Sequence, residues 1–190
     1  MDSELAAQGH GLPPGRVEPV EAALVRVCGD GRATAGTLSP EPEGRGRWRG
    51  AGRENGWMDT TLIDLDTTGR TVVDLTEALR RFCAGRGDGL VNLFAPHATA
   101  GLALMEVGSG SEGDLEEALD RLLPHDDRYR HRHGSTGHGA DHLLPVLVSP
   151  SLTVPVADGS PLLGIWQSAV LVDSNADNPR REVRMTFVRG

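Results

Sequence analysis

Apolar and β-branched positions first become regular at Thr60-Thr61-Leu62-Ile63-Asp64-Leu65 and again at Thr71-Val72-Val73, around the turn signal Thr68-Gly69. Both runs predict strands. The period then changes. Asp74-Leu75-Thr76-Glu77 reads as a capping box, and Leu75, Ala78, Leu79, Phe82 and Cys83 follow at helical spacing up to Gly85, which predicts a short amphipathic helix with Cys83 on its buried face. Leu90 to Ala95 predicts a central strand and Thr99 to Val107 another. A second helix is expected after Ser111-Glu112-Gly113-Asp114, with Leu115, Ala118, Leu119 and Leu122 on one face and Pro124 beyond its end.

From residue 151 every signal is β. Leu152-Thr153-Val154-Pro155-Val156 leads to the turn Asp158-Gly159, then come a strand from Leu162 to Asp173, a loop over 174–179, and a strand from Glu182 to Val188. Strands outnumber helices and most follow one another directly, so the expected class is α+β, with an antiparallel sheet or sandwich as its body.

Composition sets the boundary. Residues 1–57 hold 11 Gly and 5 Pro, including the Arg-Gly run from Glu43 to Arg53. Such a segment buries too little apolar surface to offset an ordering cost of roughly 1–2 kcal/mol per residue. A mostly disordered extension is expected over 1–57, in which only Ala22 to Val27 has the composition of a short helix or strand. Residues 58–190 are expected to be one domain, and Met58 is itself a candidate translation start.

The formal charge is -8, and all 19 basic side chains are Arg. Without lysine there is no Schiff-base chemistry and no phosphate-loop lysine. The acidic balance argues against a nucleic-acid partner, and an acidic amino terminus without a long apolar run predicts a cytoplasmic protein with no membrane partner. Two cysteines, Cys28 and Cys83, make no disulfide framework.

Histidine is the residue type most unevenly placed. Six of the seven lie between 97 and 142, namely His97, His125, His131, His133, His138 and His142. Neutral imidazole is a common ligand of zinc and related ions. His138 and His142 fit an i,i+4 pair, and His131 and His133 an extended H-x-H. A metal centre and a solvated Arg-His loop both remain open on this spacing.

The order of several short blocks resembles the YjbQ family, whose members carry the name secondary thiamine-phosphate synthase. The blocks are His97-Ala98-Thr99-Ala100, Glu106, Asp114, Tyr129-Arg130-His131, His142, Pro155-Val156 with Asp158-Gly159, Gly164-Ile165-Trp166-Gln167, and Pro179-Arg180-Arg181. The resemblance implies a jelly-roll-like α+β domain, a homotrimer with sites near subunit interfaces, and a divalent metal, zinc or, with a diphosphate substrate, magnesium. It implies His97, His131 and His142 as ligands and leaves His125, His133 and His138 to the solvated loop.

The implied activity joins a pyrimidine diphosphate to a thiazole phosphate, a side activity that leaves the principal small phosphorylated substrate open. Arg180 and Arg181 would then hold phosphate oxygens, with a plain strand end as the alternative. Glu106 would serve as a base or orient a ligand imidazole. Trp166 and Gln167 would contact a ring-shaped substrate, core packing being the other reading for Trp166, and Asp114 is expected to cap its helix. Ala98, Met105, Val107 and Ile165 depart from the family's polar residues, a change expected to affect substrate preference more than metal binding. A non-catalytic metal- or ligand-binding trimer and a metal-assisted hydrolase are the competing functions.

Overall fold

Val183, Met185 and Phe187 are buried while Glu182, Arg184 and Thr186 between them are more open, the two-residue period of a strand with one face on a core. The computed structural model describes residues 56–190 together with Val25–Arg26. In chain order its strands are β1 (Val25–Arg26), β2 (Met58–Asp66), β3 (Val72–Asp74), β4 (Gly89–Phe94), β5 (Ala100–Met105), β6 (Ser151–Ala157), β7 (Ser160–Pro161), β8 (Ser168–Asp173) and β9 (Arg180–Arg189). The helices are α1 (Thr76–Cys83), α2 (Ser111–Leu122), α3 (His138–Asp141) and α4 (Leu144–Leu147). Apart from β1, the expectation for residues 1–57 falls almost entirely outside the described residues.

Two antiparallel sheets share one core. The larger has the order β1-β2-β9-β4-β6-β7 and the smaller β3-β8-β5. Ile63, Val91, Leu93, Val154, Met185 and Phe187 from the first meet Val73, Leu102, Ala169 and Leu171 from the second, with Leu79 and Cys83 of α1 completing the cluster. Each fully buried large side chain here contributes about 1.5–3 kcal/mol. The class is α+β, as the strand-rich pattern predicts.

The turn at Thr68-Gly69 is present, yet the strands on either side enter different sheets. β2 pairs with β9 from Met58 opposite Val188 to Asp66 opposite Arg180, whereas β3 pairs with β8. Periodicity shows that a segment is extended but does not choose its partner. Strand β8 has no alternation because it is covered twice. Ala169 and Leu171 face the main core, while Val170 and Val172 pack with Leu119, Leu123, Ala140 and Leu144 of the helical layer.

Four local expectations change. The box at Asp74 to Glu77 is replaced by a one-sided cap, in which Asp74 Oδ1 accepts the Thr76 N–H at 2.8 Å and the Thr76 hydroxyl accepts the Ala169 N–H at 3.0 Å. Helix α2 starts after Gly110 in a left-handed conformation, and no side chain caps it. Glu112 instead accepts the Gly108 N–H at 2.7 Å and Asp114 is exposed. Leu122 is 67% exposed and Leu123 takes its place inside, because the chain turns out of the helix there. Residues 162–167 form a loop rather than the start of β8, closed by Gln167 Oε1 accepting the Gly164 N–H at 2.8 Å.

Candidate metal centre

His138 opens α3 and His142 is its C-cap residue. Four positions apart on a helical turn, their rings lie on one face, and their Nε2 atoms stand 3.0 Å from each other. The bent chain before α3 brings His131 and His133 to the same place. One ring nitrogen from each of His131, His133, His138 and His142 lies within 4.8 Å of all the others. Two imidazoles come from the buried helical turn and two from the exposed loop.

The side of His138 facing away from this cluster is occupied by carboxylates. Its Nδ1 lies 3.1 Å from Asp177 Oδ2 and 3.4 Å from Asp141 Oδ2. The two carboxylates stand beside this buried nitrogen without a hydrogen bond to it, and the opposite ring nitrogen, Nε2, is the one turned to His142. Asp141 is in turn fixed, its Oδ1 accepting from His125 Nε2 at 2.9 Å and from Ser174 Oγ at 2.8 Å. Asp177 also accepts the Ser135 N–H at 3.0 Å, which ties the histidine loop to the β8–β9 connection.

Glycine permits this folding at two points. Gly134 has a φ of +83°, and a Cβ there would stand 2.7 Å from His138 Cγ. A Cβ on Gly139 would stand 2.4 Å from the Tyr129 Cβ. Withdrawal from water, and after it the neighbouring imidazoles, hold the pKa values of His131 and His142 below the ordinary 6.5. The shift favours the neutral ring, the form that offers a lone pair.

His97 is held elsewhere. Its Nε2 accepts the Glu182 N–H at 2.8 Å, and burial, followed by the Arg181 guanidinium, lowers its pKa. Where the pairing of β4 with β9 stops at Phe94 opposite Arg184, this ring serves the next stretch of β9 backbone. Arg181 is buried and committed. Its Nε and Nη2 reach Asp173 at 2.6 and 2.9 Å, and Nη2 also reaches Thr99 Oγ1 at 3.2 Å. Thr67 Oγ1 adds a bond to the same carboxylate at 2.7 Å. Arg180 is exposed at the start of β9.

Glu106, Trp166 and Gln167 lie at the opposite end of the smaller sheet. The β5–β8 register runs from Ala100 opposite Asp173 to Met105 opposite Ser168, which separates the two ends by about 17 Å at the usual strand rise. Glu106 and Gln167 are exposed, and Trp166, 70% exposed, is not a core residue in this chain. The structure thus joins His131 and His142 with His133 and His138, and joins neither His97 nor Glu106 to them. The i,i+4 spacing of His138 and His142 is the sequence signal for the inner pair; Asp141, Asp177 and Ser174 carry no signal of comparable strength.

The donor set fits a borderline divalent ion. Imidazole nitrogens suit zinc and its neighbours, whereas magnesium takes oxygen ligands. Among the described residues no helix is long and apolar enough to cross a membrane.

Comparison with known proteins agrees with the architecture. Residues 61–190 match the family model described as UPF0047 protein YjbQ-like. A UPF0047 protein of Mycobacterium tuberculosis is 65% identical over 133 residues, 70% of this chain and 100% of that protein. One of Archaeoglobus fulgidus is 31% identical over 122 residues, 64% of this chain and 95% of that protein. Among solved structures, a conserved hypothetical protein of Thermus thermophilus superposes with a TM-score of 0.58 at 30% identity, covering 67% of this chain and 98% of its own. A YbjQ-like protein of unknown function from Sulfolobus solfataricus shares the fold alone, with a TM-score of 0.62 at 20% identity over 70% of this chain and 99% of its own. With the same fold, and with two thirds of its length matched by the family model, the chain belongs to the YjbQ-like UPF0047 family.

Proposed function

We propose that the protein is a cytoplasmic, metal-dependent enzyme acting on a small phosphorylated molecule, with His131, His133, His138 and His142 holding a zinc-type divalent ion. The observation that carries this reading is the convergence of four ring nitrogens within 4.8 Å, with Asp177 and Asp141 behind one of them. Such an ion supplies positive charge to the oxygens of a leaving phosphate or diphosphate. The closest chemistry is the thiamine-phosphate synthase reaction implied by the resemblance, in which pyrophosphate leaves.

In this reading the protein's own residues divide the remaining work. Arg180, exposed at the β9 start, binds phosphate oxygens through its fork. Arg181 acts differently, as a positioning residue that anchors the β8–β9 connection through Asp173. Glu106, Trp166 and Gln167 stand too far along the sheet to serve the histidines of their own chain. They meet the histidines of a neighbouring copy in a homotrimer, which the exposed tip Leu162, Ile165 and Trp166 helps to assemble.

A second reading is favoured by the number of donors. Four imidazoles fill a tetrahedral ion and leave no open position, which suits a trimer that holds metal without turnover. Metal analysis of the native protein, combined with release of pyrophosphate from a pyrimidine diphosphate substrate, tests both. Bound metal with turnover supports the enzyme; bound metal without turnover on phosphorylated or ester substrates supports the holding role. Absence of metal from folded native protein, with no uptake of added zinc, contradicts both.

A further inference from the structure

We propose that His133 is a displaceable donor that closes the ion site at rest and leaves it when an oxyanion of the phosphate or diphosphate class arrives. This rests on the metal reading above. The four imidazoles are not equivalent. His138 and His142 belong to a helical turn, touch through Nε2 atoms 3.0 Å apart, and His138 is braced by two carboxylates. His131 leans on this pair, its ring centroid 4.3 Å from that of His142.

His133 makes the looser approach to the helical pair, its nearest ring there being at 5.2 Å against 4.3 Å for His131, although the longest separation in the cluster is His131 to His138 at 5.8 Å. The His133 centroid lies 5.2 Å from His138 and 5.6 Å from His142, and its nearest ring is the other loop imidazole, His131, at 3.9 Å. The residue is exposed, and it directly precedes Gly134, whose φ of +83° turns the chain back onto His138. Arg130 and Arg132, both exposed, alternate with the two loop histidines. They place two guanidinium groups on the segment from which the ligand would be exchanged. An incoming oxyanion would thus gain the coordination position that His133 vacates and would be held by the loop's arginines. No covalent step is involved, only exchange of one donor for another.

The test uses metal-free full-length protein titrated with Zn(II) and, for its absorption spectrum, with Co(II). Wild type, His133→Ala, His133→Gln, His138→Ala and His142→Ala are compared after circular dichroism has shown each to be folded. Losing a core ligand should weaken ion binding by about 100-fold or more, whereas losing His133 should weaken it by no more than about tenfold, the lower end of what a supporting group contributes. Inorganic pyrophosphate should shift the wild-type Co(II) spectrum without removing the ion. The His133 variants should reach the same end spectrum at about a tenth of the pyrophosphate concentration, since no competing donor must first be displaced.

Equal ion loss in the His133 and His138 variants overturns the proposal, as does a wild-type spectrum unmoved by pyrophosphate or an ion stripped by it. A folded wild type that takes up neither ion overturns the metal reading itself, an outcome distinct from these.

Discussion

Arg181 and Asp173 meet through two parallel bonds, Nε to Oδ2 at 2.6 Å and Nη2 to Oδ1 at 2.9 Å, with each residue less than 5% exposed. The pair closes the root of the 174–179 connection, from which Ser174 and Asp177 reach the histidine centre. Breaking a buried pair leaves an uncompensated charge, so Asp173→Asn should cost about 3–5 kcal/mol in chemical denaturation. Arg181→Lys should also destabilise, because an ammonium cannot reproduce the fork. Loss of less than about 1 kcal/mol in both would contradict the anchoring role.

His97 gives a pH dependence with a defined sign. Its folded pKa is held below 6.5 by burial and by Arg181, so the unfolded chain takes up the proton first as pH falls. Its contribution to stability is complete above 6.5 and is lost as pH falls through the folded value. An NMR titration of the His97 ring should find its midpoint below 6.5, and denaturation of His97→Gln should lose less stability than wild type on acidification. A midpoint at or above 6.5 would contradict the assigned environment.

Cys83 should be inert. Removal from water pushes its thiol pKa up to about 11, and a buried neutral thiol neither reacts nor binds metal. In a Cys28→Ser background, a thiol reagent at pH 8 should label the folded protein only at the rate of unfolding. The linked stability is present below pH 9 and declines as pH rises through about 11.

The exposed tip at 162–166 separates assembly from folding. Ile165 is 91% exposed and Trp166 70%, so Ile165→Asp and Trp166→Ala should change the stability of one subunit by no more than about 0.5 kcal/mol. Sedimentation equilibrium should find wild type near three times the 20.2 kDa chain mass and both variants shifted toward monomer. Variants that remain trimeric would remove this tip from the interface.

Much of the fold was legible because burial is one-sided. The alternation in β4 and β9 and the helical spacing ending at Cys83 each follow from a single face meeting the core. Partner choice was not legible, since β2 and β3 adjoin in sequence but separate into different sheets. For the same reason the run Ala169 to Val172 did not reveal that β8 lies between a sheet and a helical layer.

At the centre, His131 and His142 were legible through their blocks in the family resemblance. The resemblance leaves His138, whose i,i+4 spacing to His142 is visible, to the solvated loop, yet it is buried and joins the cluster. His133 was legible only as the second half of the H-x-H with His131 and otherwise belonged to the expected solvated loop; the bend of the chain brings it to the others. His97 shows the opposite case, an imidazole in a family block that here serves the backbone of β9. The groups behind His138 were hidden because Asp141, its hydroxyl partner Ser174, and Asp177 come together only after β8 and α3 have packed.

Metal stoichiometry in native protein and in His138→Ala and His142→Ala, measured by elemental mass spectrometry beside circular dichroism, tests the central claim most directly. About one zinc-type ion per subunit is expected in wild type, with near-complete loss in both variants and an unchanged fold. Folded wild type without metal, or variants that keep their metal, would contradict the assignment of these imidazoles.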